Sequence, residues 1–224
     1  MLVTEIGGSV AGAYAGKLFA ENGSEVHLVG TDPNIQGSSF FHSSKHKSGS
    51  DLLDESDIVI QSSSTNPIAF VHEPAHSKQI VLRISPFALS GPYATWRSTD
   101  LVDAAIAGHL RLSGSPAREP LNGVPDIVHM AAGVTGFIGA LAALMTRART
   151  GKGQLVETSH QEVLAALHQF SLLRYTHNGA ILNRMGNRYS GPGTPIGAYE
   201  CADGWIGLAT VSYTHLTLPT SDLV

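Results

Sequence analysis

Residues 2–29 read LVTEIGGSVAGAYAGKLFAENGSEVHLV, and the fold class turns on this stretch. Leu2 to Ile6 is a short apolar run that stops at Gly7-Gly8-Ser9. Ser9 suits a helix N-cap, because its hydroxyl can accept from a free N–H of the first turn. The helix that follows carries an apolar face of Val10, Tyr14, Leu18 and Phe19. Asn22-Gly23 ends it, since both residues tolerate the left-handed geometry of a helix C-terminus. Val26 to Val29 is the next strand. Strand, glycine turn, helix, strand is the start of a βαβ unit, hence of an α/β fold with a parallel sheet.

The pattern continues outward. Residues 32–50 are rich in Ser, His and Lys and read as loop. Asp57–Gln61 and Gln79–Ser85 are further strands, and Ser90-Gly91-Pro92 is a turn. Thr99 caps a helix to Ala107, and Ser113–Pro125 is loop. Asp126 is placed to cap a long helix reaching about Arg149, with Arg147 and Arg149 at its negative end. Gly151-Lys152-Gly153 closes that helix, and Gln154–Thr158 is a strand. Ser159 and Glu162 have capping-box spacing ahead of a helix that buries Val163, Leu167, Phe170 and Leu173 and stops at Asn178-Gly179. Arg184–Gly197 is a glycine- and proline-rich loop. Ala198–Ala202 and Trp205–Ala209 form a hairpin around Asp203-Gly204.

Composition narrows the function. The chain has 224 residues, 42% hydrophobic and 14% charged, which is the balance of a folded protein and not a disordered one. The net charge is -4 with no basic tail, so no nucleic-acid partner is expected. The one cysteine, Cys201, rules out an internal disulfide framework, fits a reducing cytoplasm, and is expected to be a small buried hydrophobe. The N-terminus lacks a basic leader pattern. The longest apolar run, Ala131–Met145, is short of a bilayer span and reads as a buried helix, so no membrane is expected.

Several motifs can carry chemistry. The Gly7-Gly8-Ser9 turn offers free N–H groups to an anion, although the spacing Gly7, Gly8, Gly12 is not that of a dinucleotide fingerprint. Asp32, after the second strand, keeps an NAD-binding reading open, against a plain βα turn without ligand. Among 11 histidines, His42/His46 and His72/His76 are i, i+4 pairs, but no carboxylate or cysteine completes a ligand set, so no metal is expected. Asp126 and His129 share the first turn of the long helix. There a carboxylate can be a nucleophile, a base or simply the N-cap, and an imidazole can be a base that the helix dipole favours as neutral.

Four blocks, in this order, carry a family resemblance. EIGGSVAGAYAGKLFAENGSEVHLV (5–29), RISPFALSGPYATWRSTDLVDAAIAG (83–108), GVTGFIGALAALMTRARTGKGQLVETSHQEVLAAL (133–167) and RMGNRYSGPGTPIGAYECADGWIGLA (184–209) resemble the family III, CaiB/BaiF-type coenzyme-A transferases. The resemblance implies a Rossmann-like parallel sheet with flanking helices, an incomplete large domain over 1–180. Residues 181–210 are then a linker and the start of a smaller middle domain. The final stretch, 211–224, contains SYTHLTLPT, which is similar to a translated sequencing adapter and is set aside as an artefactual tail. The natural chain is expected to run past Thr210, and this piece alone is expected to expose apolar area and to aggregate.

By position, the resemblance places coenzyme A or acyl-CoA, as substrate with no permanently bound cofactor, against Ser9, Val10, Ala11, Ser62, Ser63 and Phe87. Gly191 and Gly193 fall in a mobile covering loop. A carboxylic acid is the second substrate, and two full-length chains interlock as a homodimer. The departures lie at the reaction centre. Counting back without gaps from Thr150-Gly151-Lys152-Gly153-Gln154, the family's nucleophilic aspartate falls on His129, with Asp126 one helical turn earlier. The racemases of 2-methylacyl-CoA in the family carry a histidine just before the aspartate that matches Asp100, and here that slot holds Thr99. Gly30 replaces the usual glutamate after the second strand, and the basic segment there is reduced to Ser44-Lys45-His46-Lys47. The expected activity is acyl-CoA:carboxylate coenzyme-A transfer through Asp126 or His129. The alternatives are a non-catalytic acyl-CoA-binding homologue, a racemase, or an NAD-binding Rossmann enzyme.

Overall fold

A computed structural model describes residues 1–30, 38–63, 72–124, 126–187 and 196–209. In chain order the elements are β1 (Leu2–Gly7), α1 (Val10–Glu21), β2 (Glu25–Val29), α2 (Ser38–His42), β3 (His46–Ser48), a 3-10 turn (Ser50–Leu52), β4 (Ile58–Ser62), β5 (Ile80–Ser85), α3 (Asp100–Ile106), α4 (His109–Leu112), α5 (Ile127–Thr150), β6 (Leu155–Ser159), α6 (His160–Leu167), α7 (Gln169–Asn178), β7 (Ile196–Cys201) and β8 (Gly204–Ala209). The chain forms two compact units, one of residues 1–109 and 123–169, the other of residues 110–122 and 170–224.

The first unit is the α/β sheet anticipated from residues 2–29. Six strands lie in the order β3-β2-β1-β4-β5-β6, and every pairing is parallel. Every residue of β4 and β5 is buried, as expected for central parallel strands covered on both faces. Ile58, Ile60, Ile80, Leu82 and Ile84 form the middle of the core, each contributing about 1.5–3 kcal/mol by its burial. Chain direction across the sheet reverses between β1 and β4, which opens a crevice at the carboxyl ends of those two strands.

Small residues let α1 and α5 approach. A Cβ on Gly133 of α5 would lie 2.5 Å from the Ala11 carbonyl oxygen. Ala11, Ala15, Ala132, Ala140 and Ala143 fill the contact. This packing corrects the expected face of α1: Val10 and Phe19 are buried, but Tyr14 and Leu18 only half so. The alanines and glycines between them are buried because the helix is enclosed by the sheet, by α5 and by Phe41 of α2. It also corrects the reading of Ala131–Met145. Helix α5 is long and apolar enough to cross a membrane, yet its small-residue stripe is packed against α1 and β5, while Ile138 and Met145 are exposed.

The described part of residues 32–50, expected as loop, contains α2, β3 and the start of the 3-10 turn. Strand β3 is too short for alternation to register. A buried ion pair helps to anchor it: Lys45 Nζ donates to Glu5 Oε2 at 2.6 Å and to the Ala13 carbonyl at 2.7 Å. The single helix expected after Ser159 is two. Helix α6 buries Val163 and Leu164 and ends at His168, and α7 begins the second unit with Phe170 and Leu173 exposed, as is Leu167.

In the second unit, Arg111 Nη2 donates to Asn183 Oδ1 at 2.8 Å and Arg184 Nε donates to the Ser115 carbonyl at 3.2 Å, tying its two chain segments. Strands β7 and β8 pair antiparallel with Cys201 opposite Gly204, the expected hairpin. Cys201 is exposed at that hairpin end, against the expectation of burial, because the hairpin stands largely open.

Candidate active site

The crevice between β1 and β4 is built by close backbone approach. Gly7 closes β1 at φ 105°, and a Cβ there would sit 2.2 Å from the Ser62 carbonyl oxygen, so only glycine fits on both counts. A Cβ on Gly12 would meet Ser62 Oγ at 2.1 Å. Ser9 caps α1 by accepting from the Gly12 N–H at 3.3 Å. The structure therefore brings together Ser9, Val10 and Ala11 at the carboxyl end of β1 with Ser62 and Ser63 at the carboxyl end of β4. The side chains of Ser9, Val10, Ala11 and Ser62 are buried, and Ser62 Oγ has no hydrogen-bond partner among the described residues. Ser63 donates its N–H to the Ile84 carbonyl at 3.0 Å. Phe87 follows β5, is buried, and packs with Tyr93 and Trp96 at ring-centroid distances of 5.9 and 6.3 Å.

A second constellation forms where the starts of α3, α5 and α6 converge. Thr99 caps α3, its hydroxyl accepting from the Val102 N–H at 3.4 Å. On the buried side of that helix, Asp103 is fully enclosed. Its Oδ1 accepts from the Ser98 hydroxyl. Its Oδ2 accepts from His160 Nδ1 at 2.8 Å and lies 3.8 Å from His129 Nε2. The two imidazole rings are 4.7 Å apart. His160 is fully buried, and its Nε2, like that of His129, has no hydrogen-bond partner among the described residues.

Asp126 does not do what its position suggested. It precedes α5, but its side chain makes no capping hydrogen bond and its backbone sits in the left-handed region at φ 63°. In that conformation the carboxylate turns away from the N–H groups of the first turn. It lies instead 3.4 Å from His129 Nδ1, one helical turn on. Asp126 and His129 are therefore neighbours, with Asp126 partly exposed and His129 buried behind it.

The charges are set by crowding. Burial opposes a charge on His129, but Asp103, Asp100 and Asp126 together outweigh it and hold the imidazole above its ordinary value. The expectation of a neutral His129 is thereby corrected: whole carboxylate charges a few ångströms away exceed the partial charge of a helix terminus. Burial pulls His160 below its ordinary value, with Asp103 offsetting only part of that. Burial alone would raise Asp103, yet its contacts with His129, His160 and Ser98 hold it low. Asp100 is raised by burial and by the neighbouring Asp126 and Asp103 charges, with His129 acting the other way.

The two histidine pairs singled out by spacing are apart from this cluster. His72 Nε2 pairs with Gln79 Oε1 at 2.8 Å, and His76 Nδ1 accepts from the Lys78 N–H at 3.2 Å. Asp32, Gly191, Gly193 and the tail 211–224 lie outside the described residues.

The comparison that decides the family is a match of the CoA-transferase family III model to residues 43–218. The chain belongs to CoA-transferase family III. Solved structures agree in fold. A CaiB/BaiF family protein from Brucella suis superposes with a TM-score of 0.78 at 22% identity, over 92% of this chain and 64% of that one. Rv3272 from Mycobacterium tuberculosis superposes with a TM-score of 0.74 at 21% identity, over 93% of this chain and 62% of that one. The chain thus spans less than two thirds of the length of these two proteins.

Within this family III chain, sequence reasoning missed Ser98, Asp103 and His160 and used Asp100 only as an alignment mark. Two signals were present. Asp103 follows Asp100 by one helical turn, and His160 directly follows the capping Ser159. Neither points at His129 until the sheet brings α3, α5 and α6 side by side.

Proposed function

We propose that the protein transfers coenzyme A between an acyl-CoA thioester and a carboxylic acid, with Asp126 as the nucleophile. The observation that carries this reading is the Asp126 carboxylate. It is released from capping, held in an uncommon backbone conformation of the kind found at functional sites, and directed at His129. In the first step, an Asp126 oxygen attacks the thioester carbonyl carbon, the C–S bond breaks, and coenzyme A leaves as thiolate. The thiolate then attacks the Asp126 carboxyl carbon of the mixed anhydride, expels the first acid, and leaves an aspartyl-CoA thioester. The acceptor acid reverses these steps: its carboxylate displaces the thiolate from Asp126, and the thiolate takes its acyl carbon and restores Asp126. His129 orients the nucleophile through Nδ1–H. The coenzyme lies across the β1/β4 crevice near Ser9, Val10, Ala11, Ser62 and Ser63, with Phe87 beside it. The reaction takes place in the cytoplasm, in an interlocked homodimer.

The test is trapping. The protein is incubated with an acyl-CoA and hydroxylamine and analysed by peptide mass. Hydroxamate on Asp126, absent from Asp126→Asn, is the expected result, whereas a modified residue elsewhere overturns the assignment. A second reading, binding without catalysis, is favoured by one observation: the gap-free register puts His129 in the slot of the family's aspartate. Saturable coenzyme A binding with no exchange of labelled coenzyme A would select it.

A further inference from the structure

His129 Nε2 is buried, makes no hydrogen bond among the described residues, and faces Asp103 Oδ2 at an ion-pair distance of 3.8 Å, beyond hydrogen-bond reach. Two ligands of one tetrahedral cation, each ~2.0–2.2 Å from it, stand ~3.4 Å apart. His160 Nδ1 reaches the same Asp103 oxygen at 2.8 Å. One ligand-capable atom from each of Asp103, His129 and His160 lies within 4.8 Å of the other two, and all three residues are buried. An outer layer is in place as well. Ser98 holds the other Asp103 oxygen, and Asp126 takes His129 Nδ1, the carboxylate–imidazole arrangement that fixes a ligating histidine with its second nitrogen free. Asp100, Asp103 and Asp126 put three carboxylates around two imidazoles, an excess of negative charge that a divalent cation balances.

We infer that Asp103, His129 and His160 form a binding site for a divalent transition-metal ion, with zinc suited to the mixed nitrogen and oxygen donors. On binding, Asp103 Oδ2 and His129 Nε2 take the ion, and any proton on that nitrogen passes to solvent. The His160 hydrogen bond to Asp103 gives way to a metal bond at Nδ1, its proton moving to Nε2. Three protein ligands leave a fourth position for water or a substrate oxygen. The site shares His129 with the proposed reaction but does not depend on it.

The experiment uses untagged protein freed of metal with a chelator, then titrated with Co²⁺ and followed by visible d–d absorption. The expected result is saturation at about one cobalt per chain and bleaching by Zn²⁺. His160→Asn and His129→Ala each abolish the absorption, and Ser98→Ala weakens binding by about tenfold. Circular dichroism on each variant separates a lost site from a lost fold. If fully buried His160 cannot be replaced without unfolding, His129→Ala, at the slightly less enclosed of the two histidines, decides. Absence of saturable absorption, or undiminished binding in His129→Ala, overturns the inference. Coenzyme A transfer is not measured, so the outcome is independent of the fate of Asp126 as nucleophile.

Discussion

The β1/β4 crevice and the Asp103–His129–His160 cluster lie in the same compact unit and are made in opposite ways. The crevice is built by residues that are absent: Gly7 and Gly12 leave room for Ser62 and its carbonyl. Its main parts come from short runs at the ends of two adjacent strands. The cluster is built by charged and polar groups delivered from the starts of three helices, with Asp103 and His160 separated by 57 positions in the chain. The first kind of site tolerates no added atom. The second tolerates no missing partner, because a buried charge left alone has nothing to replace it.

That contrast can be broken by substitution. The largest effect is expected in the crevice. Gly7→Val forces a β-branched residue to φ 105° and drives its Cβ into a backbone carbonyl that cannot move aside. A loss of ~3–4 kcal/mol in urea unfolding is expected. A near-native midpoint would mean that β1 and β4 can separate.

Next comes the cluster. Asp103→Ala leaves His160 Nδ1 buried without an acceptor and leaves the Ser98 hydroxyl only the Thr99 carbonyl at 3.2 Å, and should lower stability by about 3 kcal/mol. Asp103→Leu combined with His160→Leu should recover part of that, since an apolar pair needs no partner. If the double variant is no better than the single one, the loss is one of packing and the pair is not coupled.

Smaller effects sharpen the difference between ordinary capping and the turn at Asp126. Ser159 receives the Glu162 N–H at 3.2 Å and gives its hydroxyl to the Glu162 carboxylate at 2.6 Å. Ser159→Ala should therefore cost about 1 kcal/mol. Asp126→Gly should go the other way. It removes no cap and relieves a left-handed backbone, which outweighs the loss of the long, partly exposed contact with His129 Nδ1, for a net gain of at most ~1 kcal/mol in thermal unfolding. Any coenzyme-A transfer should be abolished in the same variant. A stability loss there would show that Asp126 is a structural residue after all.

Much of the first region could be read from the chain. Ser9, Asn22-Gly23 and the alternation of glycine turn with apolar run are local signals, and the helix and strands followed them. Thr99 and Ser159 capped as their spacing implied. Asp126 did not, although the same local rule applied, because the backbone at that corner is turned by the surrounding structure and not by its own residue type. The burial of Gly133 and the alanines of α1 was also hidden, since a small-residue stripe signals contact only when the partner helix is known.

By itself the sequence determined the helices and strands of the central βαβ pattern, that the sheet is parallel, and that a glycine turn with a capping serine closes the first strand. Those features depend on φ preferences, caps and apolar runs within a few residues. Tertiary structure alone decided that Asp103, His129 and His160 meet, that Asp126 turns to His129, and that His129 is drawn toward its charged form. Coulomb interaction and desolvation act through space, and no local pattern encodes the distance between side chains 26 to 57 residues apart in the chain.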